Sequence, residues 1–506
     1  LPLRGFVTRS VTATLRRITA LVLIAVPAFA DDSAYFGIQV IDNATGRGVP
    51  LIELRTVNDI VYVTDSAGWI AFHEPGLMDR EVFFAVEGPG YEHAKDGFGI
   101  RGVRLTTTPG KSATVKVMRT NIAERLYRVT GQGIYRDSEL VGQKTPSGVP
   151  ALNAGVVGQD SVQVVPYRGQ LFWLWGDTSL AHYPLGNFQT TAATSPFPGK
   201  DFDPQAGVPL TYLLAPDKQR VRAMAPLPDP GVVWLFGLLT IKDSEGREAL
   251  VAHYSRRKSL AEESEHGLVR FDDDAGVFRK VATFDLEDRW RFPTGNSMLV
   301  VEPEGRYYYF SGPFAHVRVP AKWDSLLDPR QYEALAFDAS SKQYRWQHES
   351  PPTKQSQERK LLESGELLQD RARYQLIDGA TDNPVRDLHH CSIAWNEHRQ
   401  KWVLIGVQQD AAGKPSHLGE IWYAESDHIA GPWRKAIKIA SHPHYSFYNP
   451  RQHTFIQQDH GRFVYFEGTY TKTFSGNPNA TPRYEYNQLM YRLDVSDPRL
   501  EAVHQR

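Results

Sequence analysis

Leu171-Phe172-Trp173-Leu174-Trp175-Gly176-Asp177-Thr178 decides the fold. Five consecutive apolar residues, three of them with rings, end at a glycine and a carboxylate. A short apolar run with this aromatic content, closed by a turn residue, reads as a β-strand covered on both faces. The plan recurs in Val232-Val233-Trp234-Leu235-Phe236-Gly237, Tyr307-Tyr308-Tyr309-Phe310-Ser311-Gly312, Trp402-Val403-Leu404-Ile405-Gly406 and Phe463-Val464-Tyr465-Phe466-Glu467-Gly468. An earlier strand start lies 15 or 16 residues before each glycine, at Asp160, Arg222, Asn296, Cys391 and His453. Pro226, Pro228 and Pro230 interrupt the second of these.

Successive units are about 60 to 95 residues apart. One small twisted sheet cannot bury both its faces, and radial packing of several sheets solves that problem. The expectation is an all-β chain in which residues 121–506 form a five-bladed β-propeller of four-stranded blades. Residues 249–254, 267–271, 332–337, 420–424 and 488–495 read as outer strands, and residues 126–130 as the strand that closes the ring on the last blade. Residues 351–370 are charged and poor in strand signals, so they read as a solvated, partly helical loop between the third and fourth blades.

Residues 31–120 read as a separate small β-sandwich. Turn clusters at 43–48, 64–68 and 88–91 divide strands at 35–42, 51–57, 59–63, 69–72 and 81–86. Residues 1–30 read as a signal peptide. Arg4, Arg9, Arg16 and Arg17 supply positive charge, an apolar run follows, and Ala28-Phe29-Ala30 places small residues at a cleavage site. The run is shorter than the roughly 20 residues that span a bilayer. The mature chain is therefore expected to be secreted or periplasmic, with no membrane contact once the signal is removed.

Composition narrows the function classes. With 57 Lys and Arg against 58 Asp and Glu, the chain has no basic excess to neutralise a phosphate backbone, which argues against nucleic acid as a partner. Aromatic residues make up 11% and suit either sugar stacking or β cores. Cys391 is the only cysteine, so no intrachain disulfide forms. It lies in an apolar strand and reads as an inert buried thiol. Nothing in the composition fixes an oligomeric state.

In a propeller the first strand of each blade lines the axis, so polar residues at the strand starts converge there. Asp160 and Asp177 stand out, because a hairpin would bring both carboxylates to the same end of the first blade. Glycoside cleavage needs such a pair, one protonated to give the leaving oxygen its proton and one ionised to attack or to activate water. Glu467 occupies nearly the corresponding place in the fifth blade and is a third candidate acid. Asn296, Asp387, His389, His390, Tyr448, Asn449, Arg451 and His453 are the candidate substrate-binding groups, and Arg483 would suit an anionic sugar. The bland readings are turn chemistry for Asp177 and a water-filled channel for the rest. No metal-ligand spacing is diagnostic. No cofactor is required, although a calcium or sodium ion on the axis fits the polar channel.

The stretch 171–178 with Asp160 upstream resembles five-bladed propeller hydrolases of the endo-D-arabinanase type, over roughly residues 126–495. The turn clusters at 42, 45–50, 64–68 and 88–91 resemble prealbumin-like carboxypeptidase regulatory domains. The first resemblance implies hydrolysis of a furanoside-containing polymer by paired aspartates, here Asp160 and Asp177. The second implies a spacer or docking module. The leading expectation is a secreted glycoside hydrolase acting on a polysaccharide. The alternatives are a polysaccharide lyase, with His389, His390, Tyr448 or Arg451 acting on a uronate, and a non-catalytic carbohydrate-binding or interaction propeller.

Overall fold

Five sheets, antiparallel except where Ile377–Asp378 pairs parallel with Lys435–Ser441 in the fourth, follow one another along the chain in the computed structural model, which describes residues 33–504 except 147–148, 188–189, 200–201, 260 and 411–416. The expected signal peptide lies outside the described residues. The fold is all-β with a few short helices. The first sheet runs Gln163–Tyr167, Gln170–Trp175, Thr191–Pro196, Thr211–Tyr212. The second runs Val232–Lys242, Glu248–Arg257, Glu263–Asp272, Val277–Phe284. The third begins with Asn296–Glu302 and Gly305–Ser311, and the fourth with Leu388–Asn396 and Lys401–Gln408. The fifth runs Ser446–Gln452, Phe463–Thr471, Asn487–Asp494 and ends on Glu124–Arg128, which starts two residues before the stretch 126–130 that sequence assigned to the last sheet.

The first strands of consecutive sheets pack against each other in chain order. The series also closes on itself. Tyr448, Asn449 and Arg451, from the first strand of the fifth sheet, hydrogen-bond to Asp160, Ser161 and the Val164 carbonyl at the first. A cavity of about 770 Å³ is lined by residues from the first strands of all five sheets, among them Val164, Ile241, Ser297, Trp395 and Arg451.

Three sequence expectations need correction, the first being that every sheet has four strands: the third and fourth have five. Val232–Lys242 is the first strand of its sheet, where the repeat made it the second, and it continues through Gly237 instead of stopping there. A bulge between Phe236 and Leu239 absorbs Gly237, whose φ is 57°. The three prolines before it lack the N–H groups that a ladder needs, so the apolar run itself becomes the first strand. Residues 249–254 and 267–271 thereby move inward, to the second and third strands. The charged segment 351–370 does carry a helix, Gln355–Glu363, but it is not solvated throughout. Glu358 is fully buried and accepts the Tyr374 N–H at 2.7 Å, the Arg373 N–H at 2.8 Å and the Tyr344 hydroxyl. Donors of this number allow a carboxylate to stay inside the fold.

Residues 36–119 form two four-stranded sheets around a shared core that includes Phe36, Ile38, Leu54, Phe72, Phe84 and Val117. In one of them Phe36–Asp42 pairs parallel with Ser112–Arg119. Among the described residues no helix is long and apolar enough to cross a membrane.

Candidate functional site

A broken hairpin brings Asp160 and Asp177 together. Gln163–Tyr167 and Gln170–Trp175 pair in the first sheet, while Val156–Gln159 and Thr178–Leu180 pair in a separate three-stranded sheet beyond it. The two carboxylates stand at the break. There the Gly176 N–H donates to the Asp160 carbonyl at 2.9 Å and the Asp160 N–H to the Asp177 carbonyl at 3.2 Å. The Asp177 N–H turns onto the Asp160 carboxylate itself, 2.9 Å from Oδ1. Gly176 leaves the space for this, since an added Cβ would come 2.3 Å from that oxygen. A sheet that ran straight through would have used these backbone groups in its ladder.

The two acids have unequal partners. Asp160 receives the Tyr448 hydroxyl at Oδ2, 2.9 Å away, and the hydroxyls of Tyr486 and Ser161 also lie within reach of its carboxylate. Among the described residues, Asp177 receives only the Trp234 indole N–H, at 2.9 Å on Oδ1. Burial pushes both carboxyls above the usual range. For Asp177 the neighbouring Asp160 charge adds to burial, and the carboxyl is pushed up to about 7. The pair titrates as a unit. More donors meet an anion on Asp160 than on Asp177, which favours the charge on Asp160.

The surrounding backbone is strained. Ser161 and Asn449 both sit in the left-handed region, at φ 54° and 52°, and the Asn449 amide donates to the Ser161 hydroxyl at 2.7 Å. A bulge between Tyr448 and Arg451 turns this part of the fifth sheet toward Asp160. Conformations of this kind cost of order 1–3 kcal/mol each and persist only when neighbours over-determine them. Here a buried polar network does so. Thr469 accepts the Ser161 N–H at 3.2 Å and the Gln488 amide at 2.8 Å, and Gln488 also reaches the Gln159 carbonyl. The Gln159 side chain donates to Thr191 at 2.6 Å and accepts the Tyr212 hydroxyl at 2.6 Å.

Of the residues singled out in the sequence, this cluster contains Asp160, Asp177, Tyr448 and Asn449. Glu467 lies elsewhere, at 0% exposure inside the fifth sheet, bonded at 2.8 Å to His453, itself 1% exposed. Arg451 lies deeper along its strand, on the 770 Å³ cavity, which Asp160 and Asp177 do not line. Burial lowers its pKa to about 10, against the opposing pull of Glu467. Arg483 pairs with Asp137 at 2.9 Å, and Asp387 forms an ion pair with Arg359. Asn296 is buried at the start of the third sheet, paired across it with Ser311. His389 is exposed and His390 half-buried, with ring centroids 5.9 Å apart, and desolvation lowers both, His390 to about 3. Among the described residues, no hydrogen bond or ion pair joins Asn296, Asp387, His389 or His390 to the Asp160 cluster.

Sequence reasoning missed Trp234 as a partner of Asp177. Phasing its run as a second strand places the indole away from the first strands; as a first strand it reaches the break directly. Cys391 is buried, and burial pushes its thiol well up, away from any nucleophilic form. Among the described residues no group of three or more His, Cys, Asp or Glu is placed to hold a metal ion.

No protein-family model matches the chain, and no curated protein matches it by sequence. Solved structures resemble the chain only at low identity and low TM-score. A presumed hydrolase from Bacteroides ovatus is 14% identical, with 67% of this chain and 86% of that chain covered and a TM-score of 0.41. The GH43_1 enzyme from Xanthomonas citri complexed with xylose is 11% identical, with 69% and 89% covered and a TM-score of 0.33. An exo-1,5-alpha-L-arabinanase from a bovine ruminal metagenomic library is 10% identical, with 67% and 94% covered and a TM-score of 0.35. Likeness at this level carries no inference about what this chain does.

Proposed function

We propose that the chain is an exported glycoside hydrolase acting on a polysaccharide. In this reading residues 121–506 are a five-bladed β-propeller, residues 31–120 are a small β-sandwich in front of it, and Asp160 and Asp177 are the reacting carboxylates. The cyclic packing of five first strands supports the propeller. The observation that carries the function is the asymmetry of the acid pair across the broken hairpin. Asp177, short of donors and beside a second carboxylate, holds its proton near neutrality. It is the general acid that protonates the leaving glycosidic oxygen. Asp160, met by Tyr448 and the Asp177 N–H, is the anion that attacks the anomeric carbon or takes a proton from water. Tyr448 and Asn449 lie beside them for sugar hydroxyls.

Incubating the purified protein with a panel of polysaccharides, furanoside-containing polymers included, tests the reading. New reducing ends without an unsaturated product are expected, and they are absent from Asp160→Asn. An unsaturated uronate at the new end would make the protein a lyase. Binding to a polymer with no new ends would make it a carbohydrate-binding propeller.

A further inference from the structure

Residues 483–486 carry Tyr486 to Asp160, and they do so in an unfavourable conformation. Arg483 and Tyr486 have φ of 64° and 60°, in the left-handed region that favours glycine. Such a segment keeps its shape only if its surroundings hold it. The holding groups come largely from the N-terminal sheets. Tyr484 is 1% exposed, and its hydroxyl donates to the Thr64 carbonyl at 2.6 Å and accepts the Leu51 N–H at 3.1 Å. Thr64 is itself fixed, its hydroxyl donating to the Val49 carbonyl at 2.7 Å and accepting the Ile52 N–H at 2.9 Å.

Two further supports converge on the same four residues. Arg483 pairs with Asp137 Oδ2 at 2.9 Å, while Asp137 Oδ1 accepts the Ala71 N–H at 3.0 Å. The Arg128 guanidinium lies over the Tyr484 ring, 4.9 Å from its centroid, and donates to the Arg483 carbonyl. On the side of the acids, the Tyr486 carbonyl accepts the Gln159 N–H at 2.7 Å. Gly158 permits this approach, since an added Cβ there would come 2.5 Å from the Tyr486 carbonyl oxygen. A continuous path thus runs from Leu51 and Thr64 in the N-terminal region through Tyr484 to the Tyr486 carbonyl and Gln159, the residue before Asp160.

We propose that Tyr484 is a positioning residue for Asp160: clamped by the N-terminal sheets, it fixes where Tyr486 stands and therefore how the Asp160 carboxylate is hydrogen-bonded. The proposal rests on the reading of Asp160 as a reacting carboxylate. It gives the N-terminal unit a part in the chemistry in addition to any docking role.

The groups facing Asp160 are the Asp177 carboxyl and the hydroxyls of Tyr448, Tyr486 and Ser161. The Tyr486 hydroxyl favours the anion, so loosening it makes Asp160 a weaker acid. In protein carrying ¹³C-labelled aspartate, the Asp160 carboxyl resonance is identified by its loss in Asp160→Asn and followed with pH. Tyr484→Phe keeps the ring under Arg128 and removes only the hydroxyl. It is expected to raise the Asp160 midpoint at least threefold in proton affinity, as Tyr486→Phe does, with no further rise in the double variant. A midpoint unchanged in Tyr484→Phe, or effects that add in the double variant, would overturn the proposal. If Tyr484→Phe loses the fold, Asp137→Asn, which keeps an acceptor for Ala71 and drops the charge facing Arg483, replaces it under the same criterion. The titration needs no substrate, so it stands apart from the polysaccharide panel. A raised midpoint without cleavage removes the hydrolase reading alone, and cleavage with an unmoved midpoint removes the positioning role alone.

Discussion

Replacing Asp177 by Asn removes a charge and keeps a shape, and the structure gives the consequence a sign and a size. The Trp234 indole N–H that Oδ1 now accepts can still be accepted by an amide oxygen. The carboxyl lies at about 7 in the fold against an ordinary 3.8, a rise caused first by burial and then by Asp160. A tenfold change in proton affinity corresponds to about 1.4 kcal/mol, so the ionised Asp177 opposes folding by at most about 4 kcal/mol. Partial access to solvent reduces this to roughly 2 kcal/mol. A carboxyl with a raised folded pKa gives its full stability below the unfolded value and loses it as pH rises through the folded one. Parent and Asp177→Asn should therefore be equally stable near pH 4. The variant should gain progressively up to pH 8, where it leads by roughly 2 kcal/mol. Denaturant unfolding at a series of pH values measures the gap. Cleavage by the same variant should fall by roughly 100- to 10,000-fold, the range for loss of a general acid. A gap that stays flat between pH 4 and pH 8, or one favouring the parent at pH 8, would refute the assignment of the proton to Asp177.

Three other substitutions probe the same geometry. Tyr448→Phe removes the donor at Asp160 Oδ2, and bonds of this charged kind are worth about 1.5–3 kcal/mol, so the acid limb of the rate profile should move up by about one pH unit or more. A profile identical to the parent's would show that this hydroxyl does not stabilise the anion. Gly176→Ala drives a Cβ onto Asp160 Oδ1 and should cut kcat/KM at least tenfold, whereas in an Asp160→Ala background it should leave the melting temperature nearly unchanged. Equal destabilisation in both backgrounds would place the clash elsewhere. Glu467→Gln strips the carboxylate from a fully buried pair with His453 beside Arg451 and should cost about 3 kcal/mol in unfolding experiments while kcat stays within a few-fold. Loss of turnover in a variant of parental stability would return Glu467 to the list of reacting acids.

The sequence by itself determined much of the strand content. Apolar, ring-rich runs have few options besides buried strands, so the runs before Gly176, Gly312, Gly406 and Gly468 all form second strands, although the last two continue past their glycines to Gln408 and Thr471. The strand 124–128 joins the fifth sheet, overlapping the stretch 126–130 expected to close the ring. The pairing of Asp160 with Asp177 was also legible, because a hairpin of known spacing fixes which residues lie across from each other. Where local chemistry was ambiguous, tertiary structure decided. Three prolines ahead of residue 232 keep the expected first strand from forming, and the apolar run takes its place, which brings Trp234 to Asp177. Glu467 and Asp177 occupy similar points of the repeat, yet one is sealed beside His453 and the other stands at a break in the sheet. That difference depends on what packs above each strand, which no spacing encodes. Tyr486 reaches Asp160 because sheets more than 400 residues earlier in the chain, through Leu51 and Thr64, hold its segment in a strained shape. Strain of this kind is a property of the assembled surroundings and leaves no local mark in the sequence.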